Sequence, residues 1–264
     1  MIDTGRIVAV TGASSGIGLA AARLFRDRGD KVYCLSRTDP KEPGITFIHT
    51  DVTDEASVNA AFGAIGKAEG RIDVLLSNAG MGVSGAAECT TMQDAKRQLD
   101  VNFFGLHACV RAAVPLMRAH GGTILATSSV AAVFAIPFQA FYSASKFAVN
   151  ALVLALANEL KPFNIRVAAI MPGDVKTGFT GARIKAEDDD NYGQSVEKSV
   201  AVMEHDEQNG MGPEMIAKRF VALSLKKHPK VLSTVGLQYK FFCFLGKVLP
   251  IRLQNFIVGK MYIK

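Results

Sequence analysis

The feature that most constrains this chain is the order in which two apolar patterns alternate along it. Short runs rich in Val and Ile lie at Ile7–Val10, Val32–Leu35, Ile45–Ile48, Ile72–Leu76, Thr123–Ala126 and Ile165–Ile170. Longer stretches of helical periodicity, such as Gly18–Arg28, Glu55–Ala68 and Phe103–Ala119, separate them. The short runs are continuous rather than alternating, as in parallel strands buried on both faces. Gly29 and Gly70 fall where helix C-caps are expected. Strands alternating with helices predict βαβ units with right-handed crossovers. The expected fold is α/β, a doubly wound parallel sheet of about seven strands with helices on both faces. With 264 residues and no repeat or linker, the chain reads as one domain over 1–264.

Composition excludes several classes. A hydrophobic share of 49% and a mean hydropathy of +0.20 rule out a disordered chain. The four cysteines form no CxxC pair, so a disulfide scaffold is excluded and reduced thiols are expected. No segment reaches the ~18 uninterrupted apolar residues that span a bilayer. The residues before Ile7 hold no basic and apolar leader, so the expected location is cytoplasmic. The net charge of +6 comes from scattered cations, which suit an anionic cofactor or a membrane surface better than nucleic acid. His49, His107, His120, His205 and His228 share no ligand spacing, so no metal site is expected.

The segment Thr11–Gly18, TGASSGIG, follows the first strand and opens the first helix. Gly12, Gly16 and Gly18 there permit a tight turn and let a pyrophosphate approach the helix N-terminus, beside Ser14, Ser15 and Ile17. Glycines in the first βα turn point to a dinucleotide.

Further along the chain come DV (51–52), NAG (78–80), VNFFG (101–105), SS (128–129), YSASK (142–146) and PGDVKT (172–177). With TGASSGIG, these motifs resemble in order and interval the short-chain dehydrogenase/reductase family, in its non-extended branch. The resemblance covers roughly the first 180 residues, and within the family the hydroxysteroid and retinol dehydrogenase-like members are the nearest in pattern. It implies a Rossmann-type domain binding a nicotinamide dinucleotide. By the same resemblance Asp51 would accept from the adenine amine and Val52 would pack beside the ring. Asn78, Ala79 and Gly80 would flank the ribose, and Pro172, Gly173, Val175 and Thr177 would shape the nicotinamide end. For Asn78 a tie between strands, and for Pro172 a strand stop, are competing roles.

At the end of the second strand, ~20 positions past the glycines, stands the residue that reads the adenosine ribose. Here the chain has Ser36-Arg37-Thr38-Asp39, a small hydroxyl and a guanidinium in place of a carboxylate. Arg37 can pair bidentately with a 2′-phosphate, which predicts NADP(H) over NAD. Asp39 reaching back to the ribose is the competing arrangement, and no cation stands at Ser15.

Tyr142 and Lys146 are one helical turn apart and so share a face. Carbonyl reduction needs a proton as negative charge grows on the oxygen, and a nearby cation favours the phenolate left behind. By resemblance Tyr142 is the general acid and Lys146 its electrostatic partner, the latter also bonding the nicotinamide ribose. Ser129 holds the carbonyl oxygen, with Ser128 as the alternative, and Asn102 holds a water that links Lys146 to solvent. For Asn102 a helix-start or kink role competes.

These residues predict an NADP(H)-dependent oxidoreductase that interconverts a ketone or aldehyde with an alcohol. A non-catalytic NADP-binding sensor and a 3-oxoacyl thioester reductase are the alternatives. The chain runs on past Gly236, unlike the thioester reductases, and its stretch Asp174–Arg183 and downstream GMGPE (210–214) resemble the hydroxysteroid- and retinol-type members. That resemblance implies an apolar steroid-, retinoid- or lipid-like substrate, with Val133, Phe134, Ile136, Phe138 and Phe141 as a candidate wall. The polar region 183–212, carrying Glu187–Asp190, is read as a substrate lid or a solvated acidic loop. Of the helices expected over Phe103–Ala119 and Ala144–Leu160, the second is apolar around more of its circumference than one buried face requires. The family resemblance implies that the two pair with a second copy, giving a homodimer or homotetramer. The segment 237–264 has apolar residues at helical spacing, five cations and no acid. Two readings stay open for it: a cover over the cleft or partner, or peripheral contact with a membrane.

Overall fold

The computed structural model describes residues 5–187 and 190–263. Asp188 and Asp189 of the acidic run, and Lys264, lie outside them. Seven parallel strands form the central sheet: β1 (Ile7–Thr11), β2 (Lys31–Ser36), β3 (Ile45–His49), β4 (Val74–Ser77), β6 (Gly122–Thr127), β7 (Ile165–Met171) and β9 (Leu232–Thr234). A separate parallel pair joins β5 (Val83–Ser84) to β8 (Ile184–Lys185). The sheet order is β3-β2-β1-β4-β6-β7-β9. The direction of winding therefore reverses between β1 and β4, which is where open α/β sheets leave a crevice at the carboxyl ends of their strands.

The reason for the continuous apolar runs is visible along β1. Ile7 and Ala9 face a core formed with α2 (Glu55–Glu69), α4 (Gly105–Met117) and α5 (Ala140–Glu159), filled by Phe62, Ile65 and Val153. Val8 and Val10 face the opposite core, formed with α1 (Gly16–Arg26) and α7 (Pro213–Ser224), filled by Phe25 and Phe220. Both faces are dry, so both parities of the strand must be apolar. The exception is β3, an edge strand whose residues are only half-buried or exposed, contrary to the expectation of burial on both faces.

Some boundaries differ from the sequence expectation. Gly70 caps α2 in the left-handed region, at φ 72°, as expected. Gly29 does not cap α1: that helix ends at Arg26, and Gly29 (φ 88°) makes the turn that follows. The pattern over Phe103–Ala119 begins inside a π-helical turn at Asp100–Phe104, which continues α3 (Met92–Leu99), and its helix proper is α4. By length and composition α5 could cross a membrane, yet its buried side, including Lys146, Val149 and Val153, packs into the fold.

Region 183–212 holds β8 and α6 (Ser195–Gln208). Beyond β9 two helices, α8 (Leu237–Val248) and α9 (Ile251–Tyr262), are joined at Pro250, whose ring cannot continue a helix.

Candidate active site

Where β1 ends, Gly12 adopts φ +63° and passes against the residues that follow β4, so closely that a Cβ there would lie 2.8 Å from Ala79 Cα. Gly16 opens α1 at φ +54°. Gly18 lies behind the loop, where a Cβ would collide with the Gly12 carbonyl and the Asn78 amide. Asn78 ties three strand ends together, donating to the Thr11 and Gly12 carbonyls at 3.3 and 3.2 Å and accepting from the Thr127 hydroxyl at 3.0 Å. Ser15, the N-cap of α1, makes no side-chain cap bond. The first N–H groups of the helix are thus left for an anion, with the positive end of its dipole behind them.

The far end of the crevice is polar. Ser36 is buried and donates to the Thr38 carbonyl at 2.7 Å, while Arg37 is exposed at the rim. The Asp39 carboxylate accepts from the Lys41 N–H at 2.8 Å, within its own turn. At Asp51 burial opposes ionisation. The Thr53 N–H (2.9 Å) and hydroxyl (2.7 Å), with Arg37 and His49 adding, outweigh it and hold the carboxyl below its usual range.

The middle of the crevice gathers the remaining candidates. Ser129 follows β6 and caps a single 3-10 turn, its Oγ accepting from the Ala131 N–H at 3.1 Å. Lys146 is 4% exposed, its Nζ donating to the Thr127 carbonyl at 2.9 Å and standing 5.7 Å from the centre of the Tyr142 ring. Burial lowers the ammonium of Lys146 to about 8. Burial also pushes the Tyr142 phenol up to about 12, against a hydrogen bond with Ser129. Asn102 sits in the π turn, not at a helix start. Its amide donates to the Met81 carbonyl (3.1 Å) and the Ser145 hydroxyl (3.0 Å), and its Oδ1 accepts from the Met81 N–H (2.8 Å). One Oδ1 lone pair is left for a water.

A single cavity of ≈ 1200 Å³ joins these parts. Every sequence-predicted cofactor and catalytic residue lines it except Gly18, which is structural, and Asn102, which stands behind Gly80. The volume exceeds the few hundred to ~1,000 Å³ of ordinary small-molecule sites, so it can take a dinucleotide and a second ligand together.

A family model described as "short chain dehydrogenase" matches residues 6–188. This chain is a short-chain dehydrogenase. It is 39% identical over 236 residues to the 3-ketodihydrosphingosine reductase of Bacteroides thetaiotaomicron, covering 88% of each chain. Among solved structures it resembles a short-chain dehydrogenase from Streptomyces avermitilis at TM-score 0.84 and 27% identity, over 97% of both chains. It also resembles an alcohol dehydrogenase from Thermococcus sibiricus, complexed with 5-hydroxy-NADP, at TM-score 0.72 and 26% identity, over 87% of this chain and 95% of that one. As a short-chain dehydrogenase it is an oxidoreductase of carbonyl and alcohol groups that uses a nicotinamide dinucleotide, and the residues fit that group. The uncapped first turn of α1 offers N–H groups to the pyrophosphate, and the cavity runs unbroken from there to Tyr142.

The substrate end of this short-chain dehydrogenase was only partly foreseen. Phe134 and Ile136 line it, whereas Val133, Phe138 and Phe141 do not. Phe138 stacks edge-on against Tyr192 at 5.9 Å, and Val133 packs under Gly246 of α8. Met203 and Glu207 on α6 complete one wall, Glu207 being held by the Thr180 hydroxyl (2.5 Å) and by the buried guanidinium of Arg183. The opposite wall comes from α8 and α9. Tyr239 lies so close to Gly173 that a Cβ there would enter its ring, and its hydroxyl donates to Asp174 at 2.6 Å. Contact between these distant segments leaves no local signal in the sequence.

Proposed function

We propose that this enzyme uses NADPH to reduce the ketone of a long-chain lipid, a 3-keto sphingoid base or a close analogue. The observation that carries the reading is the cavity, continuous from the glycine turn past Ser129, Tyr142 and Lys146 to an apolar end lined by Phe242, Leu245, Leu249, Val258 and Met261. Such a shape suits a ketone followed by an alkyl chain. The likeness to a 3-ketodihydrosphingosine reductase over most of both chains supports it. Arg37, open at the rim beside a buried Ser36 with no carboxylate in its place, supports NADP(H).

The bound nicotinamide supplies the hydride. Ser129 accepts from Ala131 and its hydroxyl bonds Tyr142; with substrate present that hydroxyl hydrogen would turn to the substrate oxygen. Tyr142 donates its phenolic proton to that oxygen. The transfer is favourable because an alkoxide is more basic than a phenolate, even one whose acid titrates near 12. Lys146, with one hydrogen committed to Thr127, keeps two to steady the phenolate and to bond a ribose hydroxyl. A water at the spare Oδ1 lone pair of Asn102 would return the proton.

We further propose a homodimer through α4 and α5, supported by the exposed Phe104, Phe147 and Leu154 on or beside those helices. Sedimentation at micromolar concentration tests it, a monomer counting against it. The substrate reading is tested by following NADPH consumption with 3-ketodihydrosphingosine, a ketosteroid and a retinal. The amino ketone is expected to give the highest kcat/KM. Turnover confined to the steroid or the retinal would overturn it.

A further inference from the structure

The helices α8 and α9 have two apolar sides. Their inner side covers the cavity: Tyr239, Leu245, Leu249 and Val258 line it. Their outer side is bare. On α8, Leu237 (84% exposed), Phe241 (58%), Phe244 (58%) and Val248 (56%) recur every three or four residues and form one stripe. Ile251 and Phe256 (62%) extend it onto α9. Large apolar side chains grouped in this way are uncommon on soluble monomers and mark interaction surfaces.

Two observations decide the partner. The first is charge: Lys240, Lys247, Arg252 and Lys260 are all exposed on these two helices, and 237–264 contains no acidic residue. A basic, aromatic-rich amphipathic helix suits the headgroup region of an anionic bilayer. The second is continuity with the cavity. Phe242, Ile257 and Met261 line the cavity and are also exposed, so its lip lies among the residues of the bare face. We propose that the outer face of α8–α9 docks on a bilayer carrying anionic lipid, with the cavity mouth turned toward the membrane. The two readings of 237–264 are then one device, a cover within and a membrane contact without. Docking stands on the exposed face alone; entry of substrate from the bilayer rests in addition on the proposed function.

The test uses the full chain and vesicles of phosphatidylcholine with or without phosphatidylserine. The protein is expected to sediment with the anionic vesicles and to be released by high salt, because each cation near the surface contributes about 1 kcal/mol that salt screens. Removing three cations (Lys240→Gln, Lys247→Gln, Arg252→Gln) should lower partitioning roughly 100-fold. Replacing Phe241, Phe244 and Phe256 by Gln should abolish it. None of these six residues lines the cavity, so turnover of a small water-soluble ketone should be unchanged, which also reports correct folding. A wild-type protein that stays in the supernatant with anionic vesicles overturns the proposal. So does a phenylalanine variant that loses self-association and keeps vesicle binding, which would make the face a contact between copies. If docking holds but 3-ketodihydrosphingosine is not turned over even in detergent, the substrate reading fails and the docking surface survives.

Discussion

Replacing Lys146 by Met separates catalysis from stability in opposite directions. The ammonium is 4% exposed and burial lowers it from 10.5 to about 8, so folding disfavours its charged form. A tenfold change in proton affinity is worth about 1.4 kcal/mol, so burying that charge at pH 7 costs about 3 kcal/mol. Methionine has a similar length and no charge. It leaves the Thr127 carbonyl without its 2.9 Å donor, which returns about 1–2 kcal/mol of the gain. The variant should therefore be inactive yet at least as stable as the wild type near neutral pH. The sharper readout is pH. Between pH 8 and 10.5 the unfolded wild-type chain holds more protons than the native one, so wild-type stability rises with pH there while the variant lacks this contribution. From pH 7 to 9 the wild type should gain about 1 kcal/mol on the variant. In a protein of this size that is ~2–4 °C in Tm. Differential scanning calorimetry of both proteins at the two pH values measures it. A Tm difference independent of pH would refute the reasoning, since Lys146 would then titrate like a solvated lysine.

Other perturbations address other parts of the site. Arg37→Ala should raise the Kd for NADPH about tenfold or more and leave NADH nearly unchanged, because a bidentate phosphate contact contributes about 1.5–3 kcal/mol; cofactor titration by fluorescence reads both. Ser129→Ala should lower kcat by at least tenfold with little change in NADPH affinity, as measured by steady-state kinetics and titration. In the reductive direction kcat should fall as pH rises through about 8, where Lys146 loses its proton, long before the Tyr142 phenol titrates near 12. Gly173→Ala should loosen α8, because the new Cβ enters the Tyr239 ring; overpacking of this kind typically costs about 1–3 kcal/mol, visible as a lower Tm.

What was legible in the sequence follows from how local each feature is. The strand at Ile7–Thr11 could be read directly because cores on both sides demand apolar residues at both parities. The glycine turn was legible because a positive φ at Gly12, with Ala79 pressed against it, admits little else. Tyr142 and Lys146 were legible because one helix carries both. Asn102 was harder to place: a π turn inserts one extra residue into a helical pattern and has no compositional mark. The three-residue β9 is too short to show periodicity. Arg183 and Glu207 meet only through the tertiary fold, and so do Gly173 and Tyr239. The two readings of 237–264 competed because a helix with apolar residues around most of its girth does not reveal which side is covered.

In the proposed reaction Tyr142 protonates the oxygen of a long-chain ketone held beside bound NADPH. The most direct measurement is single-turnover reduction of 3-ketodihydrosphingosine by the wild type and by Tyr142→Phe, each premixed with NADPH whose binding is verified by titration. The variant is expected to bind NADPH as the wild type does and to lose turnover by at least a thousandfold, because both proton transfer and charge stabilisation are removed. A Tyr142→Phe enzyme that reduces this ketone at a rate within tenfold of the wild type would contradict it.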